Sequence, residues 1–491
     1  MNDTRKRFAK YSPARGHGMP CFLTAAVLGV TSLVVSLDAS ALPAFARKYQ
    51  TSCMTCHESF PRLNAIGEDF RINGFKFVDD DLYVKEEPVE LGDDAYKRLW
   101  PTKSVWPSDI PGLPPVSFTM LSRYNMNIGG SQEARSEFVF PNQGKILSAG
   151  TFGEDISFFM ELGFNQGRGG GHGDEGGGLE TELEGWLQFE DLFRMEDKIN
   201  LRVGTVGMQE FGLFTQRNHN RLTLTPYLYA SWAMPTPEDH AVENVFGPGS
   251  TVGASDFSIH AQPGVEVNGF GNRWRYALGL VNGNGSVSDN NSEKDQYLQL
   301  AYKFGGRGFD GSSGDESGSG LGSGDPWVDD SLTLSLFGYR GTGTVEVLGF
   351  KKKDDFWRIG PGFKWKHKDL ALGAGYFWGS NDKPYGPLAN QSIDSTAWFA
   401  EAEYFVLPWL TTTLRYEALD LDLASGIPGL FIQEEQDQSR FVVSTKALIR
   451  ANLSLTVEGS FYTKDERVTK SLRGGSNGDN SQISVALHTA F

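Results

Sequence analysis

The chain has 491 residues, with 61 acidic against 45 basic and a net charge of −16 at neutral pH. That balance argues against nucleic acid as a partner. Past residue 41 no run of 18 consecutive apolar residues occurs, so no transmembrane helix is visible. Abundant glycine (59) and phenylalanine (34) without long apolar runs lean instead towards β-structure with many turns.

Residues 1–41 read as a secretory signal. Arg5, Lys6, Arg7, Lys10 and Arg15 precede an apolar stretch from Phe22 to Leu37, and Ala39-Ser40-Ala41 is a small-residue cleavage site. Ala44-Phe45-Ala46 is a second one, so the mature chain is expected to start at Leu42 or Arg47. The competing reading is an uncleaved anchor, for which the stretch is short. Cleavage after Ala41 removes five basic and two acidic residues and takes the net charge to −19. Such a surface suits cations or basic partners.

Of three cysteines, Cys21 lies in the signal, and the other two form the run Cys53-Met54-Thr55-Cys56-His57. Two cysteines three apart followed by histidine is the attachment pattern of one covalently bound haem c. Cys53 and Cys56 would bond the two vinyl groups, and His57 would be the proximal ligand of the iron. A redox CxxC or half of a zinc site are the alternatives. Residues 58–119 hold no further Cys or His for zinc, and no βαβ setting surrounds the pair. After His57, Phe60, Leu63, Ile66 and Phe70 recur at helical spacing, which predicts a helix packed on the haem, with Phe75 and Phe77 completing its cover. A segment this small folds poorly on protein contacts alone. No His or Met lies between Glu58 and Thr119 to serve as a sixth ligand.

From Val116 onward the period becomes two. Ile156, Phe158, Met160 and Leu162 alternate with Ser157 and Glu161; Leu183 and Leu187 alternate with Glu182, Glu184, Trp186 and Gln188. Leu121 and Ser122 break the pattern once. Apolar-out, polar-in segments of about ten residues are the transmembrane β-barrel signature. Strands are expected near 116–128, 136–151, 155–166, 180–190, 198–209, 254–269, 273–282, 295–304, 331–341, 355–367, 369–379, 395–406, 409–420, 438–449, 451–463 and 481–491. This makes sixteen, with fourteen and eighteen as alternatives. Short turns fall on one side, assigned to the periplasm; long loops, including 210–253 and 342–354, fall on the other. The Gly/Ser/Asp stretch 305–330 is a long connection on the short-turn side. The fold class is thus mainly β: a transmembrane antiparallel β-barrel of about sixteen strands (116–491), plugged by a small α-helical c-type haem domain (42–115), after a signal peptide (1–41).

Side-chain parity names three lumen candidates for the sixth ligand: His260, His488 and Met208, each with the plain alternative of an ordinary lumen residue. His219 and His240 lie in the long loop, with Glu238 and Asp239. Asp420, Asp422, Glu434, Glu435 and Asp437 form an acidic group near another external loop. The Gly-rich run from Gly167 to Gly178 has no strand-turn-helix setting and is not a phosphate loop.

The run from Pro43 to Phe77 carries a resemblance. PAFAR, CMTCH and FPRLNAIGEDFRINGF, with Pro61, Asn64, Gly67, Phe70 and Gly74 at pattern positions, resemble the haem segment of the fused cytochrome–porin family. These are outer-membrane cytochromes that include iron oxidases of Fe(II)-oxidising bacteria. The resemblance implies one haem, a barrel of about sixteen strands and electron flow across the outer membrane of a Gram-negative cell. The expected function is oxidation of extracellular Fe(II), with electrons passed to a soluble periplasmic cytochrome or similar carrier. The rivals are a conduit for another donor or for outward flow, and a solute porin with a haem sensor or plug. Outer-membrane lipid is the expected surrounding, and a homo-oligomer is compatible with the barrel.

Overall fold

The computed structural model describes residues 44–77, 115–128, 136–152, 155–166, 179–207, 221–231, 261–283, 291–312, 328–347, 350–384, 392–421, 437–465 and 481–491. The N-terminal part begins with helix α1 (Ala44–Lys48) and a 3-10 turn over Cys53–Thr55. A two-stranded hairpin follows, β1 (His57–Ser59) with β2 (Arg62–Leu63), and then helix α2 (Ala65–Ile72).

The expected helix immediately after His57 is a hairpin instead, and Phe60 and Leu63 belong to it. Pro61 has no N–H to donate to a helical ladder. Asn64 then caps α2, its side chain accepting from Gly67 N at 2.9 Å.

The barrel strands are β3 (Val116–Asn127), β4 (Ser136–Thr151), β5 (Ile156–Gln166), β6 (Leu179–Phe189), β7 (Asn200–Val206), β8 (Gln262–Phe270), β9 (Trp274–Val281) and β10 (Asp295–Gly305). They continue as β11 (Ser331–Val347), β12 (Phe350–His367), β13 (Leu370–Asn381), β14 (Ile393–Leu407), β15 (Leu410–Leu421), β16 (Gln438–Arg450), β17 (Leu453–Asp465) and β18 (Gln482–Ala490). All sixteen pair antiparallel with their neighbours, and β18 pairs with β3 to close the barrel. Closure leaves no strand edge unpaired, the condition for a sheet to stand in lipid.

Burial is inverted relative to a water-soluble sheet. Met160, Leu183, Leu187, Leu278, Leu414 and Val457 are exposed on the outside, while Glu161, Gln188, Glu266, Arg415 and Glu417 are buried within. Aromatic pairs mark both ends of the apolar band. Phe118–Phe491 (4.9 Å) and Phe152–Phe158 (4.7 Å) lie at the short-turn rim. Tyr124–Phe138 (4.7 Å) and Tyr376–Trp378 (4.6 Å) lie towards the other. These are the girdles of a transmembrane barrel. The broken alternation at Leu121–Ser122 is a register shift between β3 and β4.

Three boundaries differ from expectation. The loop expected over 342–354 is mostly strand, because β11 and β12 stay paired as far as Val347 with Phe350. β7 starts at Asn200 and β8 at Gln262, each later than expected, and the expected strand residues Met208 and His260 lie outside the described residues. The long connection after β10 does sit at the short-turn rim, since the strand count is sixteen. Its first residues turn back onto the N-terminal domain, where Arg307 pairs with Asp69.

Candidate haem site

The N-terminal domain sits in the lumen and is held by buried ion pairs. Arg62 meets Glu403 of β14 and also lies 3.4 Å from Glu58. Lys364 reaches the same Glu403 at 3.0 Å, and Lys366 pairs with Glu58. Lys76 pairs with Glu190 at 2.7 Å, and Ala44 N donates to Ser117 Oγ at 3.0 Å. Burial works against the charge on Arg62, but the Glu403 and Glu58 carboxylates overcome it and raise its pKa.

The interface has an aromatic core. Tyr49, Phe70, Phe75, Phe77, Ala149 and Trp186 are buried together, with Phe45, Ile66 and Phe159 packed against them. Phe75 lies flat on Trp186 at 5.9 Å and on Phe159 at 6.1 Å, so plug and wall share one core. Parity places Trp186 on the inner face. Phe159 was missed because Phe158 and Met160 flank it, although it shares its face with Ser157 and Glu161.

Beside this core opens a cleft of about 1340 Å³, open solvent at its mouth included. Cys53, Cys56 and His57 line one side, and Phe45, Tyr49, Phe70, Phe75 and Trp186 are among its other walls. The structure thus brings the three residues of the sequence motif together on one apolar cavity. Both cysteines are free thiols. Burial pushes the Cys56 thiol up to about 12, helped by Cys53 and Asp69. A redox CxxC needs the opposite, a lowered thiol pKa. Among the described residues no group of three or more His, Cys, Asp or Glu is arranged to hold a metal ion.

His57 Nδ1 lies 2.9 Å from the Pro61 carbonyl oxygen. A carbonyl only accepts, so Nδ1 carries the proton and Nε2 keeps its lone pair. Burial holds the imidazole pKa down to about 4, leaving it neutral at pH 7 despite the Pro61 and Arg62 backbone contacts. A neutral imidazole with its second nitrogen tied to a carbonyl is the form that binds iron.

The residues quoted for the family resemblance each have a local role. Pro61 supplies that carbonyl. Asn64 Nδ2 donates to the carbonyls of Thr55 (3.0 Å) and Met54 (3.4 Å), fixing the turn that carries the cysteines. At Gly67 an added Cβ would lie 2.1 Å from the Cys56 carbonyl oxygen. Gly74 has φ +67°, and a Cβ there would meet Glu190 and Ser157 of the barrel wall.

These residues fit a covalently attached haem. The cavity is apolar, its thiols are unpaired, and the histidine is in the ligating tautomer. In addition, Trp186 Nε1 is a buried donor with no acceptor among the described residues. A polar edge group of a bound ligand would satisfy it.

The sixth-ligand candidates are separated by the structure. Met208 and His260 lie outside the described residues, as do His219, His240, Glu238 and Asp239. The His488 ring lies tilted against Phe60 at 5.0 Å, and His57 meets the same Phe60 ring edge-on at 5.5 Å. His488 lines a second, more polar cavity and not the one bordered by the thiols. Strand parity aims His488 inward, and in the lumen its ring meets Phe60, which lines the cleft. In the acidic loop group, Asp437 pairs with Lys464 and Asp420 accepts from Thr396 Oγ1 at 3.4 Å; Asp422, Glu434 and Glu435 lie outside the described residues.

One more element enters the lumen. Residues 221–231, from the connection between β7 and β8, fold against the inner wall. Glu458 accepts from Leu224 N (2.6 Å) and Thr225 N (2.7 Å), and Glu417 accepts from Leu228 N (2.8 Å). Tyr227 donates to Glu401 at 3.0 Å, and Tyr229 packs on Phe377 at 4.4 Å. The lumen therefore holds an inward segment as well as the plug.

No protein-family model and no curated protein matches the chain. Among solved structures it is similar to an anion-selective porin from Comamonas acidovorans, at 11% identity and TM-score 0.48, covering 77% of this chain and 98% of that one. OmpTdeltaL8, a loop deletion mutant of an outer membrane protein of Vibrio cholerae, matches at 9% identity and TM-score 0.47, with the same coverage. The outer membrane channel DcaP of Acinetobacter baumannii matches at 13% identity and TM-score 0.45, covering 77% and 96%.

Proposed function

We propose that this chain is an outer-membrane electron conduit that oxidises extracellular Fe(II) and delivers the electrons to a soluble periplasmic carrier. One Fe(II) outside gives up one electron, and one oxidised carrier on the periplasmic side gains it. The observation that carries the reading is the apolar cleft in the lumen, bordered by Cys53, Cys56 and a neutral His57. A haem bonded to Cys53 and Cys56, with its iron on His57, supplies one-electron chemistry there. The chain's own residues hold the site: Asn64 positions the cysteine turn, Pro61 orients the imidazole, and the aromatic core keeps water away. The ion pairs of Arg62, Lys364, Lys366 and Lys76 keep the domain seated in the wall. Oxidation on the outer side has a chemical advantage, because ferric iron precipitates near neutral pH.

The decisive test is stopped-flow absorbance of the purified, oxidised protein mixed with anaerobic Fe(II). Saturable haem reduction is expected. Full reduction by dithionite but none by Fe(II) would move the donor to another class or reverse the flow.

A second reading is a solute porin with a haem-bearing plug. The sixteen-stranded barrel with a polar lumen favours it, because barrels of this size enclose aqueous channels. Conductance in a planar bilayer separates the two. A seated plug and an inward segment predict conductance far below that of an open sixteen-stranded channel.

A further inference from the structure

We infer that the lumen contains an oxyanion-binding site centred on Lys446, just outside the plug. A polar cavity lies between residues 221–226 and the hairpin at Pro61, and Lys446 lines it. Lys446 is only 5% exposed, yet its ammonium has no ion pair or hydrogen bond among the described residues. Its cross-strand neighbours, Thr411 and Thr456, are uncharged. The nearby carboxylate on β17, Glu458, attracts Lys446 from a distance, but its oxygens accept from the amides of Leu224 and Thr225 and not from the ammonium. A buried ammonium with no hydrogen-bond partner is costly, and a bound anion removes that cost.

Other cations share the cavity. Arg123, Lys145 and Arg221 line it with Lys446, and His488 lines it too. The acids lining it are Glu161, Glu182 and Glu184; Lys145 and Glu161 pair at 2.6 Å and offset each other. Arg221 is buried and braces its own turn through Thr223 O at 3.1 Å, so it presents charge from a fixed position. An ammonium beside a fixed guanidinium suits a small oxyanion, such as phosphate or a carboxylate.

The ligand has two sources with this chemistry: a free anion in the lumen, or a propionate of the haem in the adjoining cleft. The two cavities share Glu161 and are parted by Phe60-Pro61. Only the second source rests on the haem reading.

The test uses the purified full-length holoprotein, Lys446→Met and Lys446→Arg, with inorganic phosphate followed by equilibrium dialysis and the haem midpoint potential measured alongside. Heat-modifiable migration on gels checks that each barrel is folded. Saturable binding that falls about 10-fold or more in Lys446→Met and survives in Lys446→Arg assigns the site to a free anion. No phosphate binding, but a midpoint shifted in Lys446→Met and restored in Lys446→Arg, assigns it to the propionate. Neither effect overturns the site. Loss of haem from the parental protein, with phosphate binding intact, would sink the haem reading alone.

Discussion

Neutralising Glu403 should loosen the plug without unfolding the barrel. Its carboxylate is 2% exposed and receives both Arg62 and Lys364. In Glu403→Gln the shape stays, but Arg62, 4% exposed, keeps only Glu58 at 3.4 Å. Breaking a buried pair by removing one charge costs about 3–5 kcal/mol, and glutamine retains some hydrogen bonding, so about 3 kcal/mol is expected. That corresponds to roughly a 100-fold larger population of undocked plug. Hydrogen exchange with mass spectrometry reads this directly, as faster exchange of amides in α2 at constant protection of β14. Glu401→Gln is the internal control. Glu401 holds Tyr227 and lies 3.5 Å from Arg415, so its loss should speed exchange over 221–231 and leave α2 unchanged. Equal α2 exchange in Glu403→Gln and the parental protein would refute the role given to this pair. Loss of protection throughout β14 would mean the pair supports the barrel and not the plug.

Replacing Cys53 and Cys56 with Ala should abolish haem stain on a denaturing gel, and retained stain would end the covalent assignment. Trp186→Phe keeps the ring on Phe75 but removes the unpartnered N–H; it should leave the fold intact and shift the haem spectrum or potential, whereas Trp186→Ala should cost about 3–5 kcal/mol of plug packing, read by the same exchange experiment. Asn64→Ala removes a cap and two hydrogen bonds to the cysteine turn, a loss of about 2–3 kcal/mol, and should lower the yield of haem-bearing protein. Gly67→Ala should reduce that yield further, since its methyl would press on the Cys56 carbonyl; normal yield would show that the turn has room to move.

Much of the architecture was legible because a strand in lipid must alternate faces residue by residue. Leu183 and Leu187 against Trp186 and Gln188 is such a local signal, and enough of these signals summed to the right strand number. Boundaries were less legible where pairing continued past the membrane: β11 and β12 run on through residues that read as loop. The hairpin at 57–63 was hidden by an apolar spacing that fits a helix equally well. Pro61 and the capping Asn64 were the available clues against it.

By itself the sequence determined the CxxCH run, the inward parity of Trp186 and the period of the barrel, all of which depend on residues adjacent in the chain. Only the tertiary structure decided what the lumen contains. Barrel closure brings Arg62 to Glu403, Phe75 to Trp186, Phe60 to His488 and the turn at Leu224 to Glu458. These partners are separated by more than a hundred residues, and no local periodicity encodes which inward side chains meet. The register of sixteen paired strands sets that, and with it which charges are matched.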